Sequence, residues 1–282
     1  MDIDVRPLEP SRFDEANRVI QAAFERTTSF RAMLELQSVV EPDGLLSAVC
    51  QDHIVGTVGY VDYGSLAYIG LMTVAPHYQR RGIGRRLMNE VLDALDRRGC
   101  PLVLLDATAK GALVYRHLGF VEDAQAVVFD RPQRPGEFAP TPNVRTAEPH
   151  ELTEIIEFDA PIFGARRRKL LEALWPVWHD RCMVARNARG ELAGYLFARE
   201  SVWGPWIATS PSAAEGLLAT GLALFGGEAP QVLVPRSNRL CAQVLARFGF
   251  REERRLSHMR RGGDGPPGQA VHIYGQSSFA HG

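Results

Sequence analysis

Val74-Ala75-Pro76-His77-Tyr78-Gln79-Arg80-Arg81-Gly82-Ile83-Gly84-Arg85-Arg86-Leu87 joins two patterns of different period. Before it, Tyr68 to Val74 is a short apolar run that reads as a strand ended by Pro76. After it, from Gly82 to Arg98, Ile83, Leu87, Val91 and Leu95 recur every four residues and mark one face of a helix. A strand, a tight loop and a helix start aim unpaired backbone N–H groups and the positive end of the helix dipole at one small volume. Such a volume suits an anion, and a pyrophosphate in particular. Gly82 and Gly84 carry no Cβ, so phosphate oxygens can approach the backbone there, while Arg80, Arg81, Arg85 and Arg86 add positive charge.

Three readings of this loop compete. The plainest is an ordinary helix start with two glycines and solvated arginines. The second is a dinucleotide turn, but Gly82-x-Gly84 runs on to Leu87 where a third glycine belongs, and Pro76-His77-Tyr78-Gln79 makes the loop too long. A Walker loop is excluded, because no Gly-x-x-x-x-Gly-Lys-Ser/Thr occurs. The third is a coenzyme A cradle.

Gln79-Arg80-Arg81-Gly82-Ile83-Gly84 resembles the pyrophosphate loop of the GNAT superfamily of N-acetyltransferases, whose pattern is Gln/Arg-x-x-Gly-x-Gly/Ala. Downstream, the stretch from Leu105-Asp106-Ala107-Thr108 through Gly111 to Tyr115-Arg116-His117-Leu118-Gly119-Phe120 resembles that superfamily's second coenzyme motif, which ends Tyr-x-x-x-Gly-Phe. The resemblance implies acetyl-CoA as cosubstrate; no metal is expected. It also implies a strand around Leu71 to Val74 that splays from the strand at 102–106. Met72 and Val74 would then pair with the pantetheine amides. Backbone N–H groups of Arg80, Arg81, Gly82, Ile83, Gly84 and Arg85 would hold the pyrophosphate. Tyr115 would protonate the departing thiolate, against the bland alternative of a core aromatic. The superfamily often places Asn seven residues before that tyrosine; here the position is Thr108, whose hydroxyl has less reach.

Working outward, the stretch Arg131-Pro132-Gln133-Arg134-Pro135-Gly136-Glu137-Phe138-Ala139-Pro140-Thr141-Pro142 reads as a linker. The flanking halves echo each other. Val5-Arg6-Pro7-Leu8-Glu9-Pro10 matches Val144-Arg145-Thr146-Ala147-Glu148-Pro149, and Leu118-Gly119-Phe120 matches Phe248-Gly249-Phe250. A tandem duplication explains both matches. The expected fold is α/β (α+β): two tandem GNAT-like domains, each a central mixed, mostly antiparallel sheet flanked by helices. The expected boundaries are 1–131 for the catalytic domain, 132–143 for the linker and 144–282 for a degenerate copy.

The second copy has lost the chemistry-bearing positions. Counting back from Phe248-Gly249-Phe250, Asn238 stands for Thr108 and Leu245 for Tyr115. The stretch Gly204 to Gly216 has no Gln/Arg-x-x-Gly-x-Gly. All four tryptophans, Trp175, Trp178, Trp203 and Trp206, lie here. Core packing is the default reading for them, and walls of an acceptor pocket at the domain junction the alternative. Phe158-Asp159 through Arg167-Arg168-Lys169 resembles a stretch of such partner domains, and Asp159 and Arg167 are candidate substrate contacts. A solvated helix face is the alternative for Arg166 to Lys169.

Composition narrows the partners. With 282 residues, 45% hydrophobic and 23% charged, the chain is an ordinary globular one of about two domains. Its 32 basic and 33 acidic side chains give a formal net charge of −1, which argues against a nucleic-acid partner. No apolar run approaches the ~20 residues of a membrane span, and no signal-like segment opens the chain, so a cytoplasmic location without membrane contact is expected. Cys50, Cys100, Cys182 and Cys241 form neither a zinc pattern nor a disulfide framework. The expected reaction is acetyl transfer from acetyl-CoA to the primary amine of a small molecule, by direct attack in a ternary complex. The alternatives are acetylation of a protein lysine or N-terminus, and a non-catalytic acetyl-CoA sensor or scaffold. Asp62, Asp106 and an ordered water stay open as the base, while His77 and His117 read as exposed or structural. Oligomeric state is not legible.

Overall fold

The structure, a computed structural model, describes residues 2–131, 138–226, 230–265 and 267–282. It divides into two compact units, one running to Leu105 and including His281, the other Asp106–Ala280 with Gly282. The first unit contains β1 (Asp4–Pro7), α1 (Phe13–Phe24), α2 (Arg31–Val40), β2 (Leu45–Cys50), β3 (His53–Asp62), β4 (Ala67–Val74) and α3 (Ile83–Arg97), and the start of β5 (Leu102–Ala107). Its strands lie in the order β1-β2-β3-β4-β5, antiparallel except for the parallel β4–β5 pair. The β2–β3 hairpin turns through Gln51 and Asp52, both with positive φ (47° and 65°), the conformation that suits a tight hairpin turn. α3 buries Ile83, Leu87, Met88, Val91, Leu92 and Leu95, the four-residue stripe and its neighbours, against β3 and β4.

The second unit holds α4 (Ala109–Arg116), β6 (Val121–Asp130), β7 (Val144–Thr146), α5 (Leu152–Phe163), α6 (Arg168–Trp178), β8 (Cys182–Arg186), β9 (Leu192–Ala198), β10 (Trp203–Ala208), α7 (Pro211–Phe225), β11 (Gln231–Pro235), α8 (Arg239–Arg247), β12 (Arg251–Gly262) and β13 (Ile273–Gly275). Five strands make an antiparallel sheet in the order β13-β10-β9-β8-β7. Three more lie as β12-β6-β11, with β6 antiparallel to both neighbours. The repeat seen in sequence is visible locally: β1 and β7 are each followed by a 3-10 turn opening on a Pro, at Pro10 and Pro149, and then by a helix.

The compact units divide after Leu105 and not at the expected linker. β6 belongs to the first repeat by sequence, yet its two neighbours here, β11 and β12, come from the second. The reason is burial: Ala126, Val127, Val128 and Phe129 are all buried, so β6 needs a partner strand on each edge. Positions 132–137 of the expected linker lie outside the described residues. No helix among the described residues is long and apolar enough to cross a membrane.

Candidate functional site

In the first unit the site begins with an irregularity in β4. Thr57 pairs with Thr73 and Gly59 with Gly70, so β4 carries one residue more than β3 between those pairs. The bulge is taken up by Leu71, whose φ of 53° is unusual for a residue with a side chain. Buried Thr57 stitches it: its Oγ1 donates to the Leu71 carbonyl at 2.7 Å and lies 2.8 Å from Thr73 Oγ1. Among the described residues β4 pairs with β5 only over Ala67–Ile69, so this ladder ends before Leu71. Val74 is less open than its sequence assignment implies, because its carbonyl accepts Gln79 Nε2 at 3.1 Å.

The loop after β4 reaches α3 through two left-handed residues, Arg80 (φ 60°) and Gly82 (φ 80°). Gly82 is the N-cap and offers no side-chain acceptor. The first intrahelical bond runs from Arg86 N–H to the Gly82 carbonyl at 3.0 Å, which leaves the N–H groups of Ile83, Gly84 and Arg85 without an acceptor in the helix. The two glycines serve different ends. A Cβ on Gly82 would meet open space, so backbone conformation selects glycine there; a Cβ on Gly84 would lie 2.5 Å from Met72 Cε and 3.6 Å from Val74 Cγ2. Gly84 therefore also lets the helix start lie close against β4. Among the described residues no ion pair engages the exposed Arg80, Arg81, Arg85 or Arg86, and Arg81 stacks over Tyr78 at 5.6 Å.

In the second unit, Thr108 caps α4: its Oγ1 accepts from Gly111 N–H at 3.2 Å and keeps its own hydrogen to donate. Tyr115, the next-to-last residue of α4, is 8% exposed and packs on Phe120 with ring centroids 5.9 Å apart. Burial pushes its phenol up to about 12, so it stays protonated at neutral pH. Two features were not anticipated from the sequence. Asp106, fully buried in its side chain, lies with Oδ1 2.9 Å from Nδ1 of His258 on β12. β6 also bulges opposite His258, so that Asp123 sits outside the register and pairs with Arg260 at 3.0 Å.

Asp159 and Arg167 are brought together, but away from solvent. Arg167 donates to both carboxylate oxygens of Asp159, at 2.6 and 3.0 Å, and to the Gly282 carbonyl at 3.0 Å; Tyr195 Oη donates to Asp159 Oδ1 at 2.5 Å. With the two side chains 0% and 1% exposed, this geometry makes an internal ion pair and offers neither group to a diffusing acceptor. Trp203 and Trp206 are fully buried in the core around β10, and Trp175 packs edge-on against Phe197 at 6.3 Å, the packing reading of the tryptophans.

The second repeat differs where the first opens. Ser210 caps α7 by accepting from Ala213 N–H at 3.2 Å, and Pro211 contributes no N–H to the first turn. Asn238, the counterpart of Thr108, is buried, caps α8 through Cys241 N–H and donates to the Ile273 carbonyl. Leu245, the counterpart of Tyr115, is core. Among the described residues no cluster of His, Cys, Asp or Glu could hold a metal ion.

Two models described as acetyltransferase (GNAT) domain match the chain, over residues 41–122 and 155–275. The chain is 29% identical over 209 residues to the uncharacterized N-acetyltransferase YitH of Bacillus subtilis, covering 71% of each protein. Its fold is similar to the crystal structure of a candidate acetyltransferase from Pyrococcus horikoshii, with a TM-score of 0.87 and 25% identity over 99% of this chain and 96% of that one. A GCN5-related N-acetyltransferase from Sphaerobacter thermophilus aligns with a TM-score of 0.72 at 16% identity, covering 92% of this chain and 95% of that one.

Proposed function

Because this chain belongs to the GNAT acetyltransferases and carries two such domains in tandem, we propose that it moves the acetyl group of acetyl-CoA to the primary amine of a small molecule, by direct attack in a ternary complex. The observation that carries this reading is the helix start at Gly82: three backbone donors without an intrahelical acceptor, behind two left-handed residues, with no side-chain cap. That donor set suits a pyrophosphate. The backbone of Arg80 to Arg85 would hold the pyrophosphate, the β4 edge at Met72 and Val74 would pair with pantetheine, and Thr108 would donate to it.

Direct attack needs a neutral amine nitrogen at the thioester carbon and a proton for the sulfur that leaves. Tyr115 supports the second need, being protonated at neutral pH and carried by the helix that Thr108 caps. The self-capped α7, together with Asn238 and Leu245, supports a single productive copy, with the second repeat retaining fold and not chemistry. Near-zero net charge supports a small acceptor over a nucleic-acid-associated protein.

Titration calorimetry of the full chain with acetyl-CoA tests the cradle, and release of coenzyme A thiol in the presence of primary amines tests the transfer. One acetyl-CoA per chain with amine-dependent thiol release is expected. Two bound per chain would overturn the single-copy reading. Binding without turnover of any amine, peptides included, would replace the enzyme by an acetyl-CoA sensor.

A further inference from the structure

Direct attack by an amine needs a base beside the acid proposed at Tyr115. The carboxylate that sequence leaves open, Asp106, is completely buried and cannot itself reach an acceptor. It instead holds a ring. His258 Nδ1 lies 2.9 Å from Asp106 Oδ1, and when the imidazole is neutral its N–H at Nδ1 donates to that carboxylate. The basic lone pair is then placed on Nε2, the logic by which a carboxylate fixes the tautomer and orientation of a catalytic histidine.

The surroundings fit a working site better than a static one. Asp106 lies two residues before Thr108, at the point where β5 passes into the helix that carries Tyr115, and that helix packs on β12, the strand of His258. The β6 bulge falls directly opposite, between the pairs His258–Ala124 and Met259–Glu122. Bulges recur where a strand must re-aim a side chain beside an active site. Here the bulge places Asp123, and the two residues flanking it on its C-terminal side are Ala124 and Gln125. These three line an open cleft of about 530 Å³ with Glu122, Arg236, Ser237 and Arg239, and Ala124 is the register partner of His258 on the neighbouring strand. The His258 side chain is 19% exposed, half-buried and not sealed in the core.

We infer that His258, oriented by Asp106, is the general base of the acetyl transfer, accepting the proton of the acceptor ammonium at Nε2. This inference rests on the acetyltransferase reading above. The acceptor arrives as R–NH3+ and its proton passes to His258. The freed lone pair forms the C–N bond to the acetyl carbonyl carbon. The C–S bond breaks with its electron pair on sulfur, Tyr115 protonates that sulfur, and the cationic amide nitrogen releases its remaining extra proton to water. Phenolate and imidazolium return to their starting states by exchange with water, so acetyl-CoA and R–NH3+ give the amide, coenzyme A and one proton. His258 is the catalytic residue and Asp106 the positioning residue.

The sign of the pH dependence follows from the charges on the ring. Burial alone would push His258 down, but the hydrogen bond and charge of Asp106, with the charge of Asp123, outweigh it and hold the ring above its ordinary value of ~6.5. Of the neighbouring charges, Arg260 is engaged by Asp123 at 3.0 Å, while on α4 Arg116 is engaged by Glu122 at 3.2 Å; Glu122 also accepts from Ser257. A base must be neutral to accept a proton, so activity rises as pH passes upward through the raised value.

The test measures kcat/KM against pH for the full chain with acetyl-CoA and each of methylamine, glucosamine and tyramine, reading thiol release. For wild type an acid limb above pH ~6.5 is expected. His258→Gln should lose that limb and fall about 100-fold at pH 7.5, at the lower end of general-base effects, with acetyl-CoA affinity unchanged. Asp106→Asn should keep the limb but move it to lower pH, which a purely structural role would not do, and this variant carries the test where His258→Gln fails to fold. Turnover in wild type with the same acid limb in His258→Gln, or with no displacement in Asp106→Asn, overturns the base and leaves the acetyltransferase reading intact. Binding of acetyl-CoA without turnover of any of the three amines in wild type overturns the small-amine reading and the base with it.

Discussion

Tyr115 illustrates how one side chain can be read in two ways until its surroundings are known. As a ring it is core: 8% exposed, packed on Phe120, with Gly111 leaving room beside it so that a Cβ there would come within 3.2 Å of its Cε2. As a phenol it forms no hydrogen bond to another described residue, and burial pushes it up to about 12, so it is protonated at neutral pH, as the proposed acid role requires. Tyr115→Phe keeps the ring and removes only the proton, so kcat should fall about 100-fold, within the range of general-acid effects, with acetyl-CoA affinity and melting temperature unchanged. A fall in melting temperature at unchanged kcat would return Tyr115 to the core. At this scale the sequence was partly legible. Gly82, Gly84, Thr108 and Tyr115 stand out because each sits at a fixed place in a motif. His258 does not, since its partner Asp106 is far away in the chain and no spacing rule links them. Asp159 and Arg167 show the converse: charged residues attract a functional reading, and only the fold reveals that they pair with each other in the interior.

The most irregular element of the first unit is β4, with its bulge at Leu71. A left-handed Leu71 costs roughly 1–2 kcal/mol, and it persists because its neighbours hold it. The hold is a short relay in which the Thr73 hydroxyl can donate to Thr57 Oγ1 while Thr57 donates to the Leu71 carbonyl. Thr57→Val leaves the shape nearly unchanged and removes the relay. A buried carbonyl left without its donor costs ~1–3 kcal/mol, so thermal stability should drop accordingly. If the bulge is what keeps β4 open for pantetheine, acetyl-CoA binding measured by calorimetry should weaken as well, by about tenfold for each 1.4 kcal/mol of the loss felt at the site. Lower stability with unchanged affinity would confine Thr57 to the fold. Element positions were the most readable part of the chain, because α3 and the β2–β3 hairpin follow from apolar period and turn residues alone. The bulge was not readable: an extra residue in one strand is defined by the register of its neighbour, which a single strand's pattern does not contain.

At the scale of the molecule, a duplicated sequence does not mean two separable pieces. The repeat matches and the family matches at 41–122 and 155–275 both fall on either side of the 132–143 stretch, whereas the compact units part at Leu105. The discrepancy traces to β6, which sits between β11 and β12 and pairs with them through most of its length. Composition and repeats could not show this, since β6 has the same apolar run whether its partners come from its own repeat or from the other. The arrangement has a measurable consequence. A fragment of residues 1–131 keeps every position assigned to acetyl-CoA and Tyr115, but it leaves Ala126 to Phe129 with neither neighbouring strand and removes His258 altogether. Unpaired strand edges carrying buried-type side chains drive association, so this fragment should aggregate or elute as oligomers in size exclusion, and its β6 amides should exchange rapidly with deuterium. The full chain should protect those same amides near the global stability. A monomeric fragment with protected β6 amides would mean that the first repeat completes its own sheet, and the second repeat would then have to be explained by something other than the strand partners it gives β6.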